Sequence, residues 1–431
     1  MALKKSFISS GTHTDRLNRT LADFTVQRRQ TDDIFSLCTD LYESIEYKKA
    51  YGHHHYGRVI HSKNSDSSVV EDPVTSDHKE MIMMGSNSYL GLHIHPRVIS
   101  AAKNALDRYG AGAGSPPHFS GTYDIHRELE KNLAILKGTE DAIVFPSGYS
   151  TNVGILSAFL SSNDTLIIDK FAHASIIDGG LLSRARIASF RHNDMESLEK
   201  TLIRTRNSSG DRLVAVEGVY SVDGDIAPLN EIYSLVKKHD AKLMVDDAHG
   251  TGVLGKTGRG TAEYFDLEGE IDLVMGTFSK ALGGIGGFVC AKKEIIRYLR
   301  FYSRSYFFAA AVSPVQAAAL NEAVLVLTEE PEWHRRLNDN INFFHSELRN
   351  RGFNLENCRT AITPVIIGDS FKAEEVTNFL HERGVFVNCV PYPASPRKKE
   401  RIRMSVSALH KKEDLMTVIR LLTEARDLFH F

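Results

Sequence analysis

The stretch KLMVDDAH, Lys242 to His249, decides the fold. Leu243, Met244 and Val245 make a short apolar run of the kind that fills a buried strand, and the run stops on two carboxylates, Asp246 and Asp247. An acid that closes a buried strand is costly to desolvate unless it meets a cation or good hydrogen-bond donors. Two readings of Asp246 are open: a helix cap or ion-pair member, or the partner of a protonated ring nitrogen.

Outward from this stretch the pattern repeats. From about residue 95 to 325, AIVFP, TLIID, RIASF, LVAVEG and DLVMGT read as further buried strands, separated by helical stretches such as GYSTNVGILSAFL and IAPLNEIYSLVKKHD. This alternation predicts an α/β fold with a mostly parallel, helix-covered central sheet. In open α/β sheets ligands bind beyond the carboxyl ends of the strands. The residues at those ends are polar: Ser147, Gly148 and Tyr149 after AIVFP, Lys170 to His173 after TLIID, Tyr220 and Ser221 after LVAVEG, Asp246 to His249, and Thr277 to Lys280 after DLVMG. They are expected to share one rim. After about residue 330 the pattern is that of a smaller α+β domain, so the expected division is an extension over 1–82, a large domain over 83–325 and a small domain over 326–431.

Composition narrows the function. With 431 residues, net charge −2 and a pI near 6.8, bulk electrostatics favour neither nucleic acid nor a membrane surface. Four scattered cysteines without CxxC spacing fit a reduced, cytoplasmic setting. MALKKSFISSGTHTDRLNRT carries basic residues but no apolar core of signal-peptide length, and no run reaches membrane-spanning length. Within the extension, Ile34, Leu37, Cys38, Leu41 and Ile45 fall at helical spacing, which predicts an amphipathic helix packed on a neighbouring domain or subunit. GHHHYG, Gly52 to Gly57, has three consecutive histidines, which cannot all face one ion from a regular element, and no metal ligand is assigned.

The rim residues form one chemical set. SGYSTN follows a strand and opens a helix, so its N–H groups and hydroxyl suit a phosphate, although Ser147 alone reads as an N-cap. Thr277 and Ser279 add hydroxyls beside Lys280, whose amine can bond a carbonyl if burial or nearby cations lower its pKa. His173 could stack on a flat ring, and His249 could reach a ring oxygen. A lysine, an acid, a stacking group and phosphate donors together are what pyridoxal phosphate needs. No serine sits in G-x-S-x-G, and GAGAGS lacks both the preceding strand and the dinucleotide spacing.

VDDAHGTGVLGKTGRG, GTFSKALGGIGGFV, FPSGYSTNVG, HASIIDG, YSVDGDIAPL and GSNSYLGL together, and their order along the chain, resemble the α-oxoamine synthases, a branch of the fold-type-I pyridoxal-phosphate enzymes. The resemblance runs from about residue 83 to the C-terminus. It implies a decarboxylating condensation of an amino acid with an acyl thioester, on CoA or a carrier protein, in a homodimer with active sites at the interface. It implies Lys280 as the cofactor-bonding lysine and proton carrier, Asp246 as the ring-nitrogen partner and His173 as the stacking group. His249 and Ser221 then stand near the phenolic oxygen, Ser147, Gly148, Tyr149, Thr277 and Ser279 on the phosphate side, and Asn87 on the substrate side. HNDMESLEK, GVFVN and Arg403 in RIRMS look most like bacterial serine palmitoyltransferase, where the matching arginine is associated with the substrate carboxylate; this implies serine, with glycine or alanine, or a non-catalytic partner subunit, as alternatives. The chain departs from relatives at GSPPHFSG, which puts Pro117 where many have arginine, at Ala309 to Ala311, where relatives offer hydroxyls to the partner's phosphate, and at Pro391, where biotin-pathway relatives have arginine.

Overall fold

A computed structural model describes residues 15, 17–25, 30–31, 33–53, 55–206 and 210–431; His54 and most of the basic N-terminal stretch lie outside the described residues. The expected amphipathic helix is Ser36–Ala50, which begins beyond Ile34. Ile34 is 67 % exposed, Ile45 is 38 % exposed and Cys38 is also exposed, so much of its apolar spacing is left uncovered by this chain.

The polar stretch that follows holds two strands that its sequence did not announce. β1 (Ser67–Glu71) and β2 (His78–Met83) pair antiparallel, and β2 pairs parallel with β11 (Val385–Phe386), some three hundred residues on. Half of β2 is exposed, which erases the apolar signal there.

The central sheet has seven strands: β3 (Asp141–Phe145), β4 (Thr165–Asp169), β5 (Arg186–Phe190), β6 (Arg212–Glu217), β7 (Lys242–Asp246), β8 (Leu273–Thr277) and β9 (Gly287–Ala291), in the order 3-9-8-7-6-4-5. Strands β4 to β8 run parallel, and β9 is antiparallel to both of its neighbours. The fold is thus α/β with a mixed, mostly parallel sheet. Alternate residues feed different cores: Leu243 and Val245 pack on one face, Met244 on the other. Burial on both faces is why β4, β6, β7 and β8 read as nearly unbroken apolar runs.

The smaller sheet has β13 (Arg401–Ser405) between β10 (Ile362–Ile366) and β12 (Asn388–Val390), antiparallel to both. Residues 84–89 are strapped along this end of the small domain: Ser405 N–H donates to the Met84 carbonyl and Ala408 N–H to the Tyr89 carbonyl, each at 2.7 Å. Arg403 is thereby aimed back at the large sheet. Among the described residues no helix is long and apolar enough to cross a membrane.

Candidate active site

The parallel register sets the carboxyl ends side by side: Glu217 is opposite Asp246, and Asp246 is opposite Met275. Lys280 follows β8 in a tight loop, closed by Gly283 N–H on the Lys280 carbonyl at 3.0 Å and Phe278 N–H on the Gly286 carbonyl at 3.0 Å. This loop explains the glycines. Gly286 has φ +124°, and a Cβ there would stand 2.8 Å from the Phe145 carbonyl, while one on Gly283, at φ +73°, would strike His93.

Asp246 is buried and well supplied with donors. Oδ2 accepts from Asn152 Nδ2 at 2.7 Å and Oδ1 from the Ala248 N–H at 3.1 Å. The same Asn152 amide donates to Ser175 Oγ at 2.9 Å, so the Ser175 hydroxyl hydrogen is free for His173 Nδ1 at 2.7 Å. Ser175 N–H also donates to that nitrogen at 3.3 Å. Nδ1 therefore accepts, and this network assigns the ring proton of neutral His173 to Nε2. Burial lowers the His173 pKa, against the pull of Asp246.

Lys280 is the cation facing this acid. Burial draws its pKa down to about 8; Asp246 and then Glu217 oppose the shift, and Arg403 adds to it. Glu217 is pushed well above the usual carboxylate range, first by burial and then by the Asp246 charge, and its Oε1 has no hydrogen-bond partner.

A second cluster closes the other side. Arg403 donates through Nη1 and Nη2 to Asn87 Oδ1, each at 3.1 Å, and through Nε to the Ser221 carbonyl at 2.7 Å. Tyr89, buried so fully that its phenol is pushed up to about 12, shares a 2.6 Å hydrogen bond with His249 Nδ1. Burial holds His249 well below its ordinary pKa, with the charges of Lys280 and Arg403 adding to the effect. With the Tyr89 hydroxyl as donor to Nδ1, neutral His249 presents an N–H at Nε2.

On the third side, Ser147 caps the helix Gly148–Phe159, its Oγ accepting from Ser150 N–H at 3.0 Å. Thr151 N–H goes to the Ser147 carbonyl, which leaves the N–H groups of Gly148 and Tyr149 for an anion. A Cβ on Gly148 would meet Thr277 Oγ1 at 2.8 Å, and that hydroxyl lies 3.0 Å from Ser279 Oγ. The Tyr149 hydroxyl donates to Asp178, and the Tyr149 ring stands edge-on to His173 at 6.5 Å. The structure thus gathers the predicted strand-end residues on one rim, brings Arg403 and Asn87 against it from the small sheet and the 84–89 strap, and adds Asn152, Ser175, Tyr89 and Glu217, which the sequence reading missed. Asn152 had a faint signal, one turn into the helix that Ser147 caps. The donor set suits pyridoxal phosphate: a buried carboxylate with fixed donors, an amine of lowered pKa, and a phosphate-sized cradle that only glycine leaves open.

Residues 79–422 match the sequence profile of aminotransferase class I and II. The chain is 41 % identical over 378 residues to the 8-amino-7-oxononanoate synthase of Thermoanaerobacter pseudethanolicus, covering 88 % of this chain and 94 % of that protein. It is 40 % identical over 397 residues to the 4-hydroxy-2,2'-bipyrrole-5-methanol synthase PigH of a Serratia species, covering 92 % of this chain but only 60 % of PigH. Among solved structures, a serine palmitoyltransferase from S. paucimobilis, with PLP and myriocin bound, superposes with a TM-score of 0.87 at 34 % identity, over 92 % of this chain and 99 % of that one.

Proposed function

Because the chain belongs to the α-oxoamine synthases, pyridoxal-phosphate-dependent acyltransferases, we propose that it condenses serine with an acyl thioester, releasing carbon dioxide and giving an α-aminoketone. The observation that carries this reading is the position of Lys280 between two prepared sides, Asp246–Asn152–His173 and Arg403–Asn87.

When bound, pyridoxal phosphate supplies an aldehyde for amines and a ring that withdraws electrons from the substrate α-carbon. The chain's residues do the rest. Asp246, immobilised by two donors, offers a carboxylate to a ring N–H. His173, fixed through Ser175, presents its ring at the same place. Arg403 has its fork set by Asn87, Ser405 and Ser221, and Nη2 keeps a second N–H for the amino acid's carboxylate. Lys280, with a pKa near 8, can take the α-proton at Nζ and return it near neutral pH. His249 donates without adding charge, and the N–H groups of Gly148 and Tyr149 hold the phosphate end. The active unit in this reading is a homodimer.

Serine is supported by the likeness to the serine palmitoyltransferase over nearly its whole length. A second reading, glycine or alanine with a different acyl donor, is favoured by the higher identity to the 8-amino-7-oxononanoate synthase. Mass spectrometry of products from serine, alanine and glycine, each with a panel of CoA and carrier-protein thioesters, decides between them. A product that keeps the serine hydroxymethyl group is expected; product from alanine or glycine alone would replace the first reading with the second. Pure protein without a visible absorption band, unchanged by borohydride, would mark a non-catalytic subunit.

A further inference from the structure

His53 and His55 belong neither to a helix nor to a strand, so two histidines two residues apart are free to face one point. His53 and His55 meet Glu374 of the Ser370–Glu382 helix, and one ligand atom from each lies within 4.8 Å of the other two. His53 Nδ1 is 3.1 Å from Glu374 Oε2, and its other nitrogen, Nε2, is 2.9 Å from Glu375 Oε1. Lys48 Nζ takes Glu374 Oε1 at 2.9 Å, which leaves Oε2 to face the histidines. Both ring nitrogens of His55 are buried without a hydrogen-bond partner among the described residues. An unpartnered buried imidazole is costly and calls for an occupant.

We propose that His53, His55 and Glu374 bind one zinc-like divalent ion, pinning the segment after the Ser36–Ala50 helix to the small domain. Two imidazoles and a carboxylate are a zinc set, with a fourth position for water. Tetrahedral zinc ligands stand roughly 3.3 Å apart, so small rotamer shifts close the site. The His53–Glu375 pair supplies the outer carboxylate that orients a ligating histidine. Lys48 offsets the charge of Glu374, so a hard ion such as magnesium gains little here and the nitrogen donors select a transition metal.

The test uses the untagged, chelator-treated holoenzyme. Cobalt(II) titration followed by its visible ligand-field bands should saturate at one ion per chain, and zinc should displace it. His55→Ala, which removes no hydrogen bond, should weaken binding at least about tenfold, and Glu375→Gln about tenfold through loss of the outer partner. Zinc should raise the Tm of the native chain and not that of His55→Ala. Unchanged affinity in both variants, loss of binding only when the exposed group His61, Glu71 and His78 is disrupted by His78→Ala, or no bound ion at all would overturn the proposal.

Discussion

Asn152 donates a 2.7 Å hydrogen bond to Asp246 from the first turns of a helix that begins at the phosphate cradle. The same amide nitrogen reaches Ser175, so one residue fixes the acid and, through Ser175, the His173 ring. Removing one partner of a buried charged group costs about 1–3 kcal/mol. Asn152→Ala is therefore expected to weaken pyridoxal-phosphate binding, and to lower kcat/KM, by about 10–100-fold. Absorbance titration of the apoprotein with the cofactor reads the first effect, and an unaltered dissociation constant would show that Asp246 is held without Asn152.

Arg403 sits on the central strand of the small sheet but donates across to Asn87 in the 84–89 strap and to Ser221 at the rim of the large sheet. A lysine would bring one point charge and no fork. Arg403→Lys should raise KM for the amino acid about tenfold or more and leave KM for the thioester nearly unmoved. Parallel rises in both constants would mean that the arginine organises the whole domain junction rather than one carboxylate.

The parts of this site that could be read from sequence are those where a chemistry-bearing residue ends an apolar run. Asp246, Thr277 and Lys280 announce themselves in that way, and so do the strands before them, each apolar throughout because both faces are covered. β9 hid inside GGIGGFVC, where the glycines that release Lys280 from strand geometry mask the strand beginning at Gly287. β1 and β2 hid because one face is exposed and the β11 partner lies far along the chain. Glu217 and Tyr89 were missed for a different reason: nothing local distinguishes them, and what they do depends on neighbours across strands or domains, Asp246 for one and His249 for the other. The apolar spacing at Ile34 to Ile45 predicted a helix correctly from Ser36, but spacing alone could not say what would cover it.

An amine attacks an aldehyde only when unprotonated. With Lys280 drawn down to about 8, the rate at which apoprotein captures pyridoxal phosphate should rise roughly tenfold per pH unit below that value and level off above it. A lysine at its ordinary pKa would keep accelerating through pH 10. Stopped-flow absorbance from pH 6.5 to 10 separates these profiles. Lys280→Ala should remove the signal altogether, and a rate still climbing above pH 9 would place the amine in water rather than in the buried rim.

His192 is clamped between two carboxylates, Nδ1 on Asp169 at 3.0 Å and Nε2 on Asp225 at 2.9 Å, while its ring stacks on Phe171. Burial lowers its pKa, but the hydrogen bonds and charges of Asp169 and Asp225 together win and raise it to about 10. The folded chain thus holds a proton that the unfolded chain releases near pH 6.5, so the stabilisation is complete below pH 6.5 and disappears as pH climbs toward 10. His192→Gln is expected to cost roughly 2–4 kcal/mol at pH 6 and much less at pH 9.5, since by then the native imidazole has lost most of that advantage. Unfolding of both proteins at the two pH values measures the difference, and a Tm gap that widens with pH would contradict the charged clamp. Asp225 lies in the same turn as Ser221, whose carbonyl orients Arg403, so the clamp steadies the loop that sets this guanidinium.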